Sequence, residues 1–262
     1  MCTLVFAWQV FTDAPVVAAA NRDEALDRPS VPPALIETDP AVVAPRDEEA
    51  GGTWIGYNEA GVFVAITNRW TGREGEGDRS RGLLVRDALR QPSAEDAARL
   101  VERELDERRY DGFNLVLADS SAALLVEWDG DRRRVRNFDP GVHVVVNVGA
   151  DGEYTIPESR AEAGERQAEN ADAVAAALQV EPGETSTAWL DRAADVISDH
   201  EYGVCVHGDV SERSSDGSSD ASDGGFGTRS SSLVEIGEGG TRYRYADGPP
   251  CETAYRDVED RV

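Results

Sequence analysis

Residues 2–24 read CTLVFAWQVFTDAPVVAAANRDE, and this stretch decides the fold. Leu4, Phe6 and Trp8 alternate with Val5, Ala7 and Gln9, the period of a β-strand that sends one side-chain set to each face. Thr12-Asp13-Ala14-Pro15 supplies turn chemistry, because Asp closes local turns through its side chain and Pro fixes its own φ. Residues 16–20 form a second short apolar strand that ends at Asn21-Arg22-Asp23-Glu24. A hairpin over these two strands returns residues 21–24 to the side of Cys2. Alternation then puts Asn21 and Asp23 on one face and Arg22 and Glu24 on the other.

Outward from the hairpin, residues 25–50 carry five Pro and scattered charge and read as a surface excursion. Residues 53–57 and 62–67 flank an Asn58–Gly61 turn, a hairpin signature. Helical spacing covers residues 81–90. Ser93, with Asp96 three positions on, caps a second helix bearing Ala97, Leu100, Val101 and Leu105. Strand patterns follow at 113–118, 122–128, 133–138 and 142–148, and helical patterns at 158–178 and 186–199. Closing strands are expected around 204–207, 230–236 and 242–245. Residues 208–225 are Ser/Asp/Gly-rich with almost no apolar groups, which predicts a mobile loop. Strand-rich halves separated by helix pairs predict an α+β layered architecture, with residues 1–262 as a single domain.

Acidic residues outnumber basic ones 51 to 26, for a formal charge of −25, and every base is Arg. That balance argues against a nucleic-acid partner, which needs a basic stripe. It also implies a saline solvent: at about 1 M salt the Debye length is roughly 3 Å, short enough to suppress self-repulsion. Three widely spaced Cys imply no disulfide framework and suit a cytoplasmic chain. No apolar run approaches a membrane span, so membrane insertion is not expected. Residues 3–20 lack the basic start of a signal peptide and are broken by Gln9, Thr12, Asp13 and Pro15.

Few residues suggest chemistry. His143, His200 and His207 show no metal-ligand spacing and no Cys pair is close in sequence, so no metal and no cofactor are expected. No G-x-S-x-G elbow occurs. Cys2 is different. With Met1 removed it carries a thiol (unperturbed pKa about 8.5) and an α-amine (about 7.7–8.0) on one residue. The amine can then act as base for its own nucleophile. Asp23, returned by the hairpin, is expected to fix that amine. Other readings stay open: Asn68 as a turn residue, Asn147 as a satisfied buried amide, Trp54 as core, Cys205 as a structural thiol. Arg22 either binds an anionic group of a ligand or pairs with an internal carboxylate.

Met1-Cys2, Asn21-Arg22-Asp23-Glu24, Gly51-Gly52-Thr53-Trp54, Thr67-Asn68, Ser80-Arg81-Gly82, Gly112-Phe113-Asn114-Leu115 and Gly227-Thr228-Arg229-Ser230 occur in that order. Together they resemble the NRDE family, also called the transport and Golgi organisation protein two family, over nearly the whole chain. The resemblance implies an N-terminal-nucleophile hydrolase-like fold, an αββα four-layer sandwich of two antiparallel sheets. It implies an amidohydrolase with Cys2 as nucleophile and base and Asp23 orienting the amine. Asn68 and Asn147 would serve the oxyanion and the amine, and Arg229 would support Cys2 electrostatically. Asn21, Arg22 and Trp54 would meet the ligand, a small-molecule amide or a hydrophobic molecule. The same resemblance also implies an alternative, a non-catalytic carrier or chaperone handling haem or acyl-CoA. The chain departs from the family pattern at two places: Asn147 stands in Val146-Asn147-Val148-Gly149, without the family's usual Ser-Asn-Ala, and the 208–225 stretch stands just before Gly227-Thr228-Arg229.

Overall fold

The computed structural model describes residues 2–72, 77–208 and 225–262. Apart from its two end residues, the stretch expected to be a mobile loop lies outside the described residues.

The opening hairpin forms as its alternation requires. Strand β1 (Thr3–Trp8) pairs antiparallel with β2 (Val16–Ala25), Thr3 opposite Asn21 and Trp8 opposite Val16. The hairpin closes through Gln9 N donating to Pro15 O at 2.9 Å. Strand β2 does not stop at Ala20 but carries Asn21-Arg22-Asp23-Glu24 within it. Both strands lie inside the molecule, which is why they are apolar on both faces. Leu4, Phe6, Trp8, Val16 and Ala18 face one core, and Val5, Ala7, Val17 and Ala19 face another. Each Val, Leu or Phe side chain among these, fully buried, contributes about 1.5–3 kcal/mol.

Two antiparallel sheets enclose the first core. One is a seven-stranded meander in chain order: β3 (Ser30–Thr38), β4 (Ala41–Asp47), β5 (Ile55–Asn58), β6 (Phe63–Asn68), β7 (Phe113–Ala118), β8 (Ala123–Trp128) and β9 (Arg133–Asn137). The other contains β10 (Gly141–Val146), β11 (Gly149–Ala150), β12 (Glu153–Tyr154), β13 (Phe226–Gly237), β14 (Gly240–Ala246) and β15 (Arg256–Asp257). Its spatial order is β12-β11-β10-β1-β2-β13-β14-β15, so the opening hairpin sits at its centre.

Helices cover the outer faces. Helix α1 (Arg81–Ala88) and α2 (Ala94–Glu107) bury Leu84, Val85, Val101 and Leu105 against Val64, Leu115, Leu117 and Val126 of the seven-stranded sheet. Helix α3 (Ala161–Ala177) and α4 (Ser186–Ser198) bury Val174, Trp189, Leu190 and Ile197 against Val5, Val17, Val144 and Leu233 of the other. The layers therefore run α-β-β-α. The expected cap of α2 is present: Ser93 Oγ accepts from Asp96 N at 3.1 Å and donates to the Asp96 carboxylate at 2.9 Å.

Two expectations need correction. Residues 25–50 are not a surface excursion, because they contain β3 and β4. Pro32 and Pro33 are tolerated since β3 is an edge strand, with the pairing register shifting between Val31 and Ala34 around them. Residues 204–207 are not a strand. Their backbone makes isolated bonds instead: Val204 O accepts from the Asn21 amide, Val206 N donates to Thr228 Oγ1, and Val206 O accepts from Thr228 N.

Candidate active site

The two sheets are joined at one end, and the joint is built from polar residues. Buried Asn114 on β7 donates to Val146 O across the sheets at 2.7 Å and to Thr67 Oγ1 at 3.2 Å. Trp70 N donates to Asn147 O at 3.0 Å. Above this joint lies a cavity of about 320 Å³ lined by Cys2, residues 20–24, Thr53, Trp54, Thr67, Asn68, Arg81 and Asp111, among others.

Cys2 stands at the start of β1, half-buried at the cavity wall. Its N donates to Asn147 Oδ1 at 3.1 Å, and its Sγ lies 3.7 Å from Asp23 O. Asn147 is engaged at both ends of its amide: Nδ2 donates to Asn68 O at 2.7 Å, and Oδ1 also accepts from Gln167 Nε2 at 2.8 Å. Of the two roles open to Asn147, this geometry shows the acceptor for the Cys2 nitrogen. Asn68 is exposed at the cavity, with its backbone oxygen alone used by Asn147.

Each residue of Asn21-Arg22-Asp23-Glu24 has its own task. Asn21 faces the helix layer, where its amide ties β2 to Ile197 O at 2.8 Å and to Val204 O at 2.9 Å. Arg22 faces the opposite side, 7% exposed, with its guanidinium 4.1 Å above the Trp54 ring and 3.2 Å from Asp47. The internal carboxylate is therefore its partner. Asp23, 4% exposed, accepts from Thr228 Oγ1 at 2.6 Å. Glu24 lies 3.4 Å from Arg22 and accepts from Ala25 N at 3.0 Å.

Burial dominates the electrostatics here. It pushes the Cys2 thiol up, aided by the Asp23 charge, against the nearby Arg22 guanidinium and the Asp23 backbone contact. It likewise raises the Asp23 carboxyl, opposed by the Thr228 hydroxyl. Burial pulls Arg22 and Arg81 below the usual guanidinium value. Arg81 donates to Gly112 O at 2.9 Å and, unlike Arg22, makes no ion pair among the described residues.

The glycine motifs fix the far wall. Thr53 N donates to Gly82 O at 3.0 Å, and a Cβ on Gly52 would fall 2.2 Å from the Gly82 carbonyl carbon. Only glycine permits this backbone-to-backbone approach. It sets Trp54 and Arg81 on the same cavity.

Arg229 lies elsewhere. It is the extra residue where the β13–β2 register shifts between Thr228 and Ser230, and its guanidinium pairs with Asp247 at 3.2 Å. Its neighbour Thr228 makes the contact to Asp23. Thr228 and Arg81 were legible as members of quoted motifs. Gln167 announced itself only as a polar residue on the apolar stripe of α3, four positions before Ala171. Asp47 carried no sequence signal. The histidines and cysteines also differ from expectation: His200, Cys205, His207 and Cys251 converge, because the fold closes a 46-residue separation between the two cysteines.

A family model described as "Transport and Golgi organisation 2" matches residues 1–246. The chain belongs to this family. Transport and Golgi organisation 2 homologues from Mus musculus and Bos taurus are 32% and 34% identical to it over 111 and 110 residues. Each match covers 41% of this chain and 40% of the mammalian protein. Among solved structures, penicillin V acylase from Agrobacterium tumefaciens is similar at a TM-score of 0.54 and 16% identity, covering 94% of this chain and 83% of that one. A Caenorhabditis elegans N-acylethanolamine-hydrolyzing acid amidase ortholog is similar at 0.52 and 11% identity, covering 89% and 92%. At such identities the likeness is one of fold: this member of the Transport and Golgi organisation 2 family has the N-terminal-nucleophile hydrolase-like sandwich. No helix among the described residues is long and apolar enough to cross a membrane.

Proposed function

We propose that the chain is an N-terminal-cysteine amidohydrolase acting on a small amide. The observation that carries this is the position of the Cys2 nitrogen and sulfur, both on the cavity wall, the first against Asn147 Oδ1 and the second beside Asp23. Burial keeps the thiol protonated at rest, so it needs a base. Once Met1 is removed, the α-amine on the same carbon is that base, with Asn147 holding it by accepting one of its hydrogens. The thiolate adds to the amide carbonyl, and the exposed Asn68 side chain donates to the oxyanion. The C–N bond then breaks, the amine product leaves with the proton held by the α-amine, and water hydrolyses the thioester. Asp23 and Thr228 position the amine and do not touch substrate. Trp54 and Arg81 meet the ligand. Arg22 acts through Trp54, since Asp47 already engages its charge.

The activities named for the two solved structures, an acylase and an amidase, agree with this reading. The cavity volume favours a small ligand over haem or acyl-CoA, lying at the low end of the range of about 300–1,000 Å³ for ligand sites. Intact-mass measurement before and after incubation with an electrophilic lactam tests the proposal. Expected are loss of Met1, one covalent adduct, and no adduct in Cys2→Ala. A labelled protein that still carries Met1, or equal labelling of Cys2→Ala, would refute it.

A further inference from the structure

His200 lies in the single-turn helix His200–Tyr202 after α4, Cys205 and His207 in the extended segment that follows, and Cys251 in the turn after β14. Each offers one ligand atom, and these four atoms all lie within 4.8 Å of one another. Cys205 Sγ is 3.5 Å from Cys251 Sγ, and His207 Nε2 is 2.9 Å from Cys251 Sγ and 3.9 Å from Cys205 Sγ. Bond lengths of about 2.3 Å to sulfur and about 2.0 Å to nitrogen put the corners of a tetrahedral zinc site roughly 3.3–3.8 Å apart. The observed separations bracket that range. Two of the three cysteines and two of the three histidines of the chain meet at this one corner.

We propose that His200, Cys205, His207 and Cys251 form a structural site for a divalent, thiolate-preferring metal ion of the zinc type. On binding, each thiol gives up its proton, so two protons are released and two thiolates with two neutral imidazoles leave the site uncharged. His200, His207 and Cys251 are exposed and give the ion a path, while Cys205 anchors it from the buried side. Such a site is filled by soft donors, which separates it from the many surface carboxylates of this acidic chain.

The position gives the ion a purpose. The segment carrying Cys205 and His207 has no strand ladder to hold it. Yet Val204 O receives the Asn21 amide, and Val206 bonds Thr228 twice, its N donating to Oγ1 at 2.8 Å and its O accepting from Thr228 N at 2.7 Å. Thr228 in turn holds Asp23. A metal joining residues 200–207 to Cys251 braces the segment on which that contact rests.

Titration of the reduced, metal-free full chain with Co²⁺ and then Zn²⁺ tests this. Expected are thiolate-to-cobalt charge transfer with intense tetrahedral d–d bands, displaced by a single equivalent of Zn²⁺, and a higher thermal midpoint with Zn²⁺ than with chelator. Cys2→Ala should keep these signals. Cys251→Ser and His207→Ala, both at exposed positions, should lose stoichiometric uptake and the Zn²⁺-dependent rise in midpoint. Weak binding of several ions unchanged by Cys251→Ser would assign the metal to surface carboxylates and overturn the proposal. Formation of a Cys205–Cys251 disulfide, with no uptake after its reduction, would overturn it equally.

Discussion

Thr228→Val removes one hydroxyl and almost no volume, so its effect can be worked from two hydrogen bonds. Thr228 is 1% exposed; its Oγ1 donates to Asp23 at 2.6 Å and accepts from Val206 N at 2.8 Å. Loss of a hydrogen bond to a carboxylate is worth about 1.5–3 kcal/mol, and an orphaned buried N–H costs about 1–3 kcal/mol. The two losses share an atom and part of their relaxation, which sets the expected destabilisation at roughly 3 kcal/mol. Thr228→Ser keeps both bonds and loses a methyl group, worth about 1 kcal/mol. Equilibrium urea unfolding in molar salt, with the m-value checked for constancy, measures both variants. The Val variant should also raise the Asp23 pKa further, because the hydroxyl opposes the upward push of burial. A Val variant within about 0.5 kcal/mol of the parent, the range of a plain surface substitution, would refute the assignment of Thr228 as the support of Asp23.

Asp47→Asn is expected to cost about 3 kcal/mol at neutral pH, because it takes from the buried Arg22 guanidinium the nearer of its two carboxylates and leaves it only Glu24 at 3.4 Å. Burial alone would raise the Asp47 carboxyl, but hydrogen bonds from Arg28 and Ala50 N and the charges of Arg28 and Arg22 more than offset it and hold the group below its usual value. Its contribution is thus complete above the ordinary carboxylate range and lost as pH falls through the lowered value, so denaturation at stepped pH should show the gap between parent and variant closing in acid. Asn58→Ala should cost about 3 kcal/mol in chemical denaturation. Asn58 is 2% exposed, and it donates to Leu89 O and Gln91 O at 2.8 Å and accepts from Ala60 N and Val62 N at 3.0 Å. A variant as stable as the parent would show that the hairpin turn does not need its tie to α1. With a net charge of −25, transfer from molar to millimolar salt should lower the thermal midpoint, and an unchanged midpoint would contradict the self-repulsion argument.

Sequence pattern disclosed what depends on local periodicity. The alternation of residues 4–9 and the apolar run 16–20 identified the central hairpin, and the Ser93 cap located the start of α2, because both signals are written in neighbouring residues. Long-range effects were less visible. The edge position of β3, which lets Pro32 and Pro33 lie within a strand, depends on which strands pair and not on the residues of β3. The same holds for Asp47 under Arg22, and for Cys251 beside Cys205. The motif Gly227-Thr228-Arg229-Ser230 pointed to the right place, and a one-residue register shift then presented Thr228, not Arg229, to Asp23. For Asn147, its being buried in an apolar run required partners, and Cys2 N, Asn68 O and Gln167 supply them.

The contact between Gly52 and Gly82 has a consequence for anyone wishing to alter ligand preference. Two main chains meet there with no side chain between them, so that stretch of wall has nothing to trim and no room to grow. A mutant library meant to reshape the cavity should vary Trp54, Asn68 and Arg81 and leave both glycines untouched.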